Sequence, residues 1–294
     1  MKLPDEMRNS ILASLRKQNG EDVVWHGEQR VGGGSVNQAW RIDTSIGVFF
    51  LKANSAFDMP GIFEAEARGL ERLRQTNTLR IPQVVLQSSV GDYSFLLLEF
   101  MSAAPPDQRH CRAFGEKLAA LHRTTWKAFG LDHSNYISSI RQSNAPRGDW
   151  SSFFVEERLE PLVREGVDSA LLPQNSVKSF DRLYRKLSQF YPEEPPALLH
   201  GDLWYGNYIR LANGETVLID PAIYFGHREV DLAMTRLFGG FGDEFYSGYQ
   251  EVYPLTSGWE ERVALWNLYP LLVHVKLFGA EYVQQLLDSL HCFC

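Results

Sequence analysis

Residues 198–220 read LLHGDLWYGNYIRLANGETVLID and contain two short apolar runs, each of which ends in polar residues. The first run is followed by His200 and Asp202, and Asn207 comes five residues after Asp202. The second run is followed directly by Asp220. Buried strands that stop at the edge of a cleft present polar side chains in this way. The stretch therefore predicts two strands that carry functional groups at their ends.

The order of these groups is that of a phosphoryl-transfer site. An aspartate on a rigid loop, here Asp202, can accept the proton of a hydroxyl group, while the oxygens of Asn207 and Asp220 can hold Mg²⁺ against the phosphates of a nucleotide. The spacing H-x-D-x-x-x-x-N before a strand-borne aspartate is that of kinase catalytic loops. Taken singly, an HGD triplet is a common loop sequence, but the joint spacing favours phosphoryl transfer. Asn213-Gly214 predicts the hairpin turn between the two runs.

Length and charge set the broad class. With 294 residues the chain exceeds the usual size of one domain, so we expect two lobes. We place a nucleotide-binding lobe at residues 1–101 and a catalytic and substrate-binding lobe at residues 102–294. A hydrophobic content of 44% supports a sizeable core. The net charge of −7, from 29 basic and 36 acidic residues, excludes a basic surface for nucleic acid or an anionic membrane and suits a cationic or neutral substrate.

The N-terminal residues and the number of cysteines predict the cellular compartment of the protein. Residues 1–10 are charged where a signal peptide needs an apolar core, and no uninterrupted apolar run approaches about 18 residues. Three cysteines are too few for a disulfide framework. The tail at 291–294, HCFC, lacks a second pair of metal ligands, and we assign it no role. These features predict a cytoplasmic protein, and we expect a monomer with a weak dimer as the alternative.

A glycine loop between two strands is the first candidate for nucleotide binding. Gly32, Gly33, Gly34 and Ser35 separate strands that we predict at 23–31 and 36–43. Glycines allow the backbone N–H groups to approach phosphate oxygens closely. A loose hairpin turn is the alternative interpretation, because three glycines in a row are common in such turns.

Lys52 is the second candidate, because it lies in the apolar strand that we predict at 48–54. A buried lysine needs a charged partner. Glu64 and Glu66 on the following helix could provide one, and we choose Glu66 because Leu70 and Leu73 follow it at helical spacing. We expect this pair to neutralise the α- and β-phosphates. A solvated lysine at a sheet edge is the alternative.

The stretch 93–101 completes the small sheet together with residues 83–88. We interpret its apolar run, 95–98, as a buried edge strand that leads into a connector rich in proline. The C=O of Glu99 and the N–H of Met101 could then pair with the edge of an adenine. An ordinary linker between domains explains the same residues without a ligand.

From residue 107 onward the pattern is helical, with a loop predicted at 132–150. His122 shares a helix face with apolar residues, so we expect a core residue and not a ligand. The aromatic residues near the C-terminus are typical of a core, although some rings near the catalytic loop could line a sugar site.

Together these pieces occur in the order of the protein-kinase-like fold, with informative departures. Gly201 precedes Asp202 where protein kinases have arginine, and only ten residues separate Asp220 from Asp231. A peptide-docking activation segment has no room there. Small-molecule phosphotransferases, such as aminoglycoside and choline kinases, share this shortened form. More specifically, four blocks resemble the fructosamine kinase (ketosamine-3-kinase) family: GGGSVNQAWRI (32–42), FEAEARGLERL (63–73), HGDLWYGN (200–207) and IDPAIYFGHREVDLAMTRLFGGF (219–241).

This resemblance runs from about residue 20 to about residue 283 and carries several implications. It implies an α+β bilobal fold with a small antiparallel-sheet N-lobe and a larger, mainly helical C-lobe. It also implies phosphorylation, dependent on ATP and Mg²⁺, of the 3-hydroxyl of a ketosamine, either a small molecule or linked to protein. Ribulosamines, erythrulosamines and fructosamines are the candidates, and the reaction would serve deglycation repair.

The resemblance also suggests roles around the catalytic loop. Trp204 would form an aromatic wall for the sugar or its amine, and Asp231 would brace the loop by accepting hydrogen bonds from His200 or from the backbone. His227 and Glu229 could contact the substrate or serve in salt bridges.

Two other functions remain open at this stage. The first is an aminoglycoside- or choline-type kinase, which a substrate panel would distinguish. The second is a nucleotide-binding pseudokinase, which requires the loss of a catalytic group. Lys52, Asp202, Asn207 and Asp220 are all present, which disfavours the second.

Overall fold

A computed structural model describes residues 2–32, 37–104, 111–239 and 241–293. The chain forms two compact units. The first comprises residues 1–106 and 209–220, and the second comprises residues 107–208 and 221–294. The predicted division had placed the segment 209–220 in the second lobe, whereas it packs with the first.

The first unit is built on an antiparallel sheet with the strand order β1-β2-β3-β5-β4. Its strands are β1 (Trp25–Val31), β2 (Gln38–Thr44), β3 (Gly47–Ser55), β4 (Val84–Val90) and β5 (Tyr93–Glu99). Its helices are α1 (Asp5–Asn19) and α2 (Ile62–Arg74). Helix α1 buries Met7, Ile11 and Leu15, which follow one another at intervals of four and so share one face. It ends at a glycine, Gly20, whose φ is 71°.

Strand β5 is an interior strand, and the expectation of an edge strand is wrong. It pairs with β3 on one side and β4 on the other. The side chains of 95–98 are at most 4% exposed, and Phe95 and Leu97 share a core cluster with α1. Four successive apolar residues, 95–98, need cover on both faces of the sheet, and an interior strand obtains this cover more readily than an edge strand.

A hairpin formed by β9 (Tyr208–Arg210) and β10 (Thr216–Leu218) explains why 209–220 joins the first unit. The Leu218 N–H donates to the Arg80 carbonyl at 3.1 Å, and the Ala104 N–H donates to the Arg210 carbonyl at 2.7 Å. The predicted turn is present, with Gly214 at a φ of 86°. These bonds attach both strands of the hairpin, and thereby the residues that precede Asp220, to the first unit.

The second unit is mainly helical. Its helices are α3 (Cys111–His122), α4 (Trp150–Phe154), α5 (Glu160–Asp168), α6 (Ser176–Tyr184), α7 (Glu229–Leu237), α8 (Asp243–Val252), α9 (Trp259–Trp266), α10 (Leu268–Phe278) and α11 (Val283–His291). A π-helical turn, Val155–Leu159, joins α4 to α5, and short 3₁₀ turns lie at Leu187–Gln189, Tyr205–Asn207 and Gly279–Tyr282. Strand β8 (Ala197–Leu199) pairs antiparallel with β11 (Tyr224–Gly226).

The predicted loop at 132–150 is only partly correct. It contains a hairpin of β6 (Asn135–Ile137) and β7 (Ile140–Gln142), which turns at Ser138 with a φ of 55°. Ile137 and Ile140 are buried at this turn, so the hairpin is anchored in the core.

The helical stretch Trp259–His291 is long and apolar enough to cross a membrane by length and composition alone. More than half of its most apolar window is buried inside the protein. Leu265, Trp266, Leu271 and Leu272 belong to the large core cluster of the second unit. Burial of this kind is what the core helices of a globular domain show, so the stretch is accounted for by packing.

Candidate active site

Lys52 lies on β3 and forms the centre of a charged group in the first unit. Its side chain is 6% exposed, and its Nζ donates to Glu66 Oε1 at 2.7 Å and to Asp220 Oδ1 at 2.5 Å. The ion pair predicted between Lys52 and Glu66 is therefore present. Burial alone would lower the pKa of Lys52, but the charges of Asp220 and Glu66 outweigh it and raise the pKa. The lysine is consequently a fixed cation.

Asp220 sits in a conformation that few residues other than glycine adopt. Its φ is 55°, and its side chain is 44% exposed although one carboxylate oxygen holds Lys52. Left-handed backbone at a residue other than glycine costs free energy, about 1–3 kcal/mol, and such outliers concentrate at functional sites. The backbone conformation thus singles out Asp220 among the acidic residues of the first unit.

The other predicted nucleotide contacts are only partly described. Gly32 directly follows β1, whereas Gly33, Gly34 and Ser35 lie outside the described residues. Glu99 ends β5, and its carboxylate pairs with Arg80 and accepts the Gln83 N–H. Met101 lies in the irregular segment that follows β5. The contacts of these residues with a nucleotide stay predictions.

In the second unit the predicted catalytic loop, which carries Asp202 and Asn207, is held by hydrogen bonds within it. The Asn207 amide donates to the backbone oxygen of Asp202 and to its carboxylate, each at 2.8 Å. Asn207 is 6% exposed, while Asp202 is partly exposed. Because the amide nitrogen is committed to Asp202, the Asn207 oxygen points away from these bonds. The predicted base and the predicted metal ligand are thus brought together.

Gly201 is required by a close approach of two backbone segments. Its φ is 82°, and a Cβ there would lie 2.1 Å from the carbonyl oxygen of Ala222. The Ala222 N–H donates to the His200 carbonyl at 2.9 Å. The loop is therefore packed directly against the segment that follows Asp220 in the sequence.

Asp231 braces the same loop as predicted. Its carboxylate accepts the backbone N–H of His200 at 2.7 Å and that of Gly201 at 2.9 Å. Its third partner is His122 Nε2, at 3.2 Å, while the other ring nitrogen of His122 lies 2.8 Å from the Tyr249 hydroxyl. Burial alone would raise the pKa of Asp231, but the hydrogen bonds from His122 and Gly201 outweigh it and lower the pKa. His122 is a buried structural residue, in agreement with the sequence expectation.

Glu229 and His227 occupy structural positions, which corrects their assignment to the substrate. Glu229 is 1% exposed, and its carboxylate binds Arg262 through two bonds of 2.8 and 2.6 Å and the Trp266 indole N–H at 2.9 Å. His227 is fully buried, stacks on Trp266 and lies with Nε2 at 3.1 Å from the Pro192 carbonyl. The salt-bridge alternative therefore holds for Glu229. A run of charged residues after a strand does not reveal which of them face inward.

Trp204 is presented at the surface of the second unit. Its side chain is among the exposed large hydrophobic ones, at 37%, and a Cβ on Gly206 would lie 2.4 Å from its indole ring. Only glycine at position 206 leaves room for the ring in this position. The Phe238 ring meets the indole edge-on at a centroid distance of 6.1 Å. The indole ring is thus held on two sides, and its role as a wall for the sugar or its amine stays a prediction.

A buried polar network next to the loop of Asp202 was not predicted from the sequence. Asn135 donates to the Ile223 carbonyl at 2.8 Å, and Gln142 donates to the Ala222 carbonyl at 3.3 Å. The Tyr269 hydroxyl donates to Gln142 at 2.7 Å. These bonds hold the backbone of 222–223, against which Gly201 packs.

The same network contains a buried guanidinium, that of Arg158. Arg158 is 0% exposed and donates to Asn144 Oδ1 at 2.5 Å. Its charge lies over the rings of Tyr224 and Phe153, at 4.1 and 4.6 Å from the centroids. Cation–π contacts of this kind compensate part of the desolvation of a buried cation. In the sequence, the two isoleucines separated by two serines at 137–140 were the signal that this region contains a hairpin.

Each unit contains, by itself, a predicted ligand whose chemistry suits the Mg²⁺ that the fold implies. Mg²⁺ prefers oxygen ligands and is usually held by one or two carboxylates together with substrate phosphates. Asp220 provides an exposed carboxylate, and Asn207 provides an amide oxygen whose nitrogen is engaged elsewhere. Burial raises the pKa of Glu66 although Lys52 opposes the shift, so Asp220 is the partner of Lys52 that is better suited to face a cation.

Comparison with known protein sequences shows similarity to one family. A family model described as fructosamine kinase matches residues 7–292. A "probable ketoamine kinase" of Vibrio cholerae is 34% identical over 280 residues, which cover 94% of this chain and 95% of the relative. Another, of Enterococcus faecium, is 37% identical over 285 residues, which cover 95% and 98%.

Solved structures agree. A crystal structure from Haemophilus somnus, provisionally named a fructosamine-3-kinase, has a TM-score of 0.89 and 30% identity and covers 97% of each chain. The aminoglycoside phosphotransferase APH(4)-Ia has a TM-score of 0.63 at 16% identity, over 98% of this chain and 99% of its own, and shows the fold alone. The α+β protein-kinase-like fold expected from the sequence is confirmed.

Proposed function

The chain belongs to the fructosamine kinase family, and from this membership we propose that it transfers the γ-phosphoryl group of ATP to the 3-hydroxyl of a ketosamine. The family resemblance read from the four sequence blocks is confirmed by the family match. Membership makes the chain a phosphotransferase that uses ATP. The sugar position, the kind of ketosamine and the role of Mg²⁺ are the parts that we propose.

The observation that carries the proposal is the group around Lys52. A lysine that is 6% exposed and paired with Glu66 is a fixed positive charge, which suits the neutralisation of phosphate oxygens. Asp220 is the more exposed partner of that lysine, and its side chain can turn to a cation without a change of the buried pair. Phosphoryl transfer requires positioning and charge compensation more than covalent chemistry.

Asp202 would act on the acceptor. The carboxylate takes the proton of the 3-hydroxyl as the sugar oxygen forms a bond to the γ-phosphorus, and the bond from that phosphorus to the β-phosphate oxygen breaks. The products are the 3-phosphate and ADP. Asn207 holds the carboxylate of Asp202 in place by its 2.8 Å bond, and Asp231 fixes the backbone on which Asp202 sits.

Asn207 and Asp220 would hold the Mg²⁺, which would screen the charge of the phosphates when it is bound. Trp204 would stack on the ketose or attract its charged amine. Phosphorylation at the 3-position makes such an adduct decompose and frees the amine, so we propose a role in deglycation, in the cytoplasm.

A coupled assay for ADP release tests this function. Ribuloselysine, erythruloselysine and fructoselysine are compared with an aminoglycoside and with choline, each with ATP and Mg²⁺. We expect ADP release with at least one ketosamine, together with a 3-phosphate product identified by NMR. Release with the aminoglycoside or choline alone would contradict the proposal.

A further inference from the structure

An exposed row of aromatic side chains begins at the catalytic loop. We define the aromatic row as Trp204, Phe238, His274, Phe278 and Tyr282. Trp204 meets Phe238 at a ring-centroid distance of 6.1 Å, and Phe238 meets His274 at 4.9 Å. His274 then contacts Phe278 at 5.4 Å and Tyr282 at 4.9 Å. The rings thus form one continuous series on the second unit.

The exposure of the row exceeds what packing explains. Six large hydrophobic side chains are exposed within the part of the chain that the structure describes, and three of them belong to the row. These are Trp204 at 37%, Phe238 at 41% and Phe278 at 51%. Single exposed apolar residues need no explanation, whereas contiguous ones mark binding surfaces.

His274 joins the two halves of the row as a neutral ring. Its Nδ1 lies 2.7 Å from the Pro270 carbonyl, and since a carbonyl can only accept, this nitrogen carries the hydrogen. Burial lowers the pKa of His274, which keeps the imidazole uncharged at neutral pH. A neutral ring at this position lets apolar groups lie along the whole series.

We propose that the aromatic row binds the amine-borne part of the acceptor, namely the alkyl chain of a glycated lysine and the apolar peptide residues beside it. This inference rests on the proposed function. Trp204 is two residues from Asp202 in the same loop, and the bond from the Asn207 amide to the Asp202 backbone oxygen fixes that loop. In this proposal, a ketose whose hydroxyl reaches Asp202 places its amine substituent at the Trp204 end of the row.

The chemistry of the occupant matches the surface. A glycated lysine has a secondary ammonium group next to a four-carbon apolar chain, and aromatic faces attract the first while they bury the second. Neighbouring centroids in the row are 4.9 to 6.1 Å apart, whereas an extended peptide advances about 3.3 Å per residue, so the row is long enough to contact several successive residues of a peptide. An acceptor with only a methyl group on nitrogen would end at Trp204.

The experiment compares two acceptors that carry the same ribulose. One is the adduct of methylamine, and the other is the adduct of the lysine in an acetylated Leu-Lys-Leu peptide. Phe278→Ala should raise KM for the peptide about tenfold, as expected for the loss of a ring that the bound peptide covers, and leave kcat and the KM for the methylamine adduct unchanged. Phe278→Tyr retains the ring and should behave like the wild type. Phe57→Ala, at a residue that is 77% exposed in the first unit, is the matched control.

Two results would overturn the inference. The first is an equal change of KM for both acceptors, or no change for either, in the Phe278→Ala protein. The second is a dimer of the wild type in analytical ultracentrifugation that Phe278→Ala converts to a monomer, because the row would then bind a second copy. A wild-type protein that phosphorylates neither acceptor would instead remove the proposed function itself.

Discussion

The side-chain amide of Asn207 donates to both the backbone oxygen and the carboxylate of Asp202, each at 2.8 Å. The two residues therefore form one rigid element. We expect Asp202→Asn to lower kcat about 10²-fold or more, because a lost general base has an effect of this size. Asparagine still offers an oxygen to Asn207, so the thermal midpoint should stay close to that of the wild type. Turnover like that of the wild type would remove Asp202 from its role.

Asp220 provides a test of the metal site. Asparagine tolerates the left-handed backbone at this position, where φ is 55°, so Asp220→Asn should fold. With one negative charge fewer, the protein should lose Mg²⁺ binding in the presence of ADP, as measured by calorimetry. ADP release should also stay low throughout a magnesium titration. A magnesium dependence like that of the wild type would contradict the assignment.

Glu66 and Glu64 form a matched pair on α2. Glu66 pairs with Lys52, whereas Glu64 is 56% exposed and pairs with Arg68. Glu66→Gln should raise KM for ATP about tenfold, because a hydrogen bond to a charged group contributes about 1.5–3 kcal/mol. Glu64→Gln should leave it unchanged, since exposed pairs contribute little. Equal effects of the two substitutions would mean that the buried pair does not position Lys52 for ATP.

Glu229 tests the corrected assignment. Arg262→Met leaves this carboxylate, which is 1% exposed, without its cation and should lower the free energy of unfolding by about 3–5 kcal/mol. The double variant with Glu229→Gln should recover part of that loss. In Glu229→Gln alone, KM for the ketosamine should not change, as measured by steady-state kinetics. A rise in KM for the ketosamine in the Glu229→Gln protein, without a loss of stability, would mean that Glu229 contacts the substrate.

His227 makes stability depend on pH. Burial lowers the pKa of His227 below its usual 6.5, with the charges of Glu229 and Glu194 opposing. Nε2 faces the Pro192 carbonyl and Nδ1 accepts the Glu229 N–H, an arrangement that only the neutral ring satisfies.

Below the usual pKa the unfolded chain therefore binds a proton that the folded protein does not. The free energy of unfolding should fall as the pH decreases through 6.5 towards the lowered pKa. In the His227→Gln protein, the free energy of unfolding, measured by urea titration at a series of pH values below 6.5, should fall less steeply with decreasing pH. The pKa of His274 is also lowered, so His274 adds to the pH dependence of both proteins. The contribution of His227 is therefore the difference in slope between the wild type and the variant. Identical slopes would exclude His227 as a source.

The Lys52–Glu66 ion pair could be predicted because its physical requirement is local. Apolar neighbours on the strand force the lysine to find a partner, and a glutamate that shares a helix face with buried leucines can provide one. The second partner, Asp220, lies 168 residues further along the chain, where no local pattern points to it. The position of β5 could not be predicted in the same way. An apolar run is common to interior and edge strands, and strand order depends on pairing between distant segments.

The network of Asn135, Gln142, Asn144 and Arg158 escaped prediction for a different reason. Three of these residues lie in the segment 132–150, which contains four serines and looks solvated, and only the fold shows that Asn135 and Gln142 are buried and bond to the 222–223 backbone. His227 and Glu229 have the same ambiguity, because charged residues next to one another in sequence do not reveal which has a buried partner.

The β9–β10 hairpin has a consequence for the order of synthesis. The first unit needs residues 1–106 and a twelve-residue segment, 209–220, that the ribosome adds much later. Chains usually fold domain by domain from the N-terminus as they emerge. Here a nascent chain of 106 residues would lack one carboxylate partner of Lys52, and the backbone oxygen of Arg80 would lack its donor. The N-terminal part must therefore wait for about three quarters of translation before it can reach its finished state.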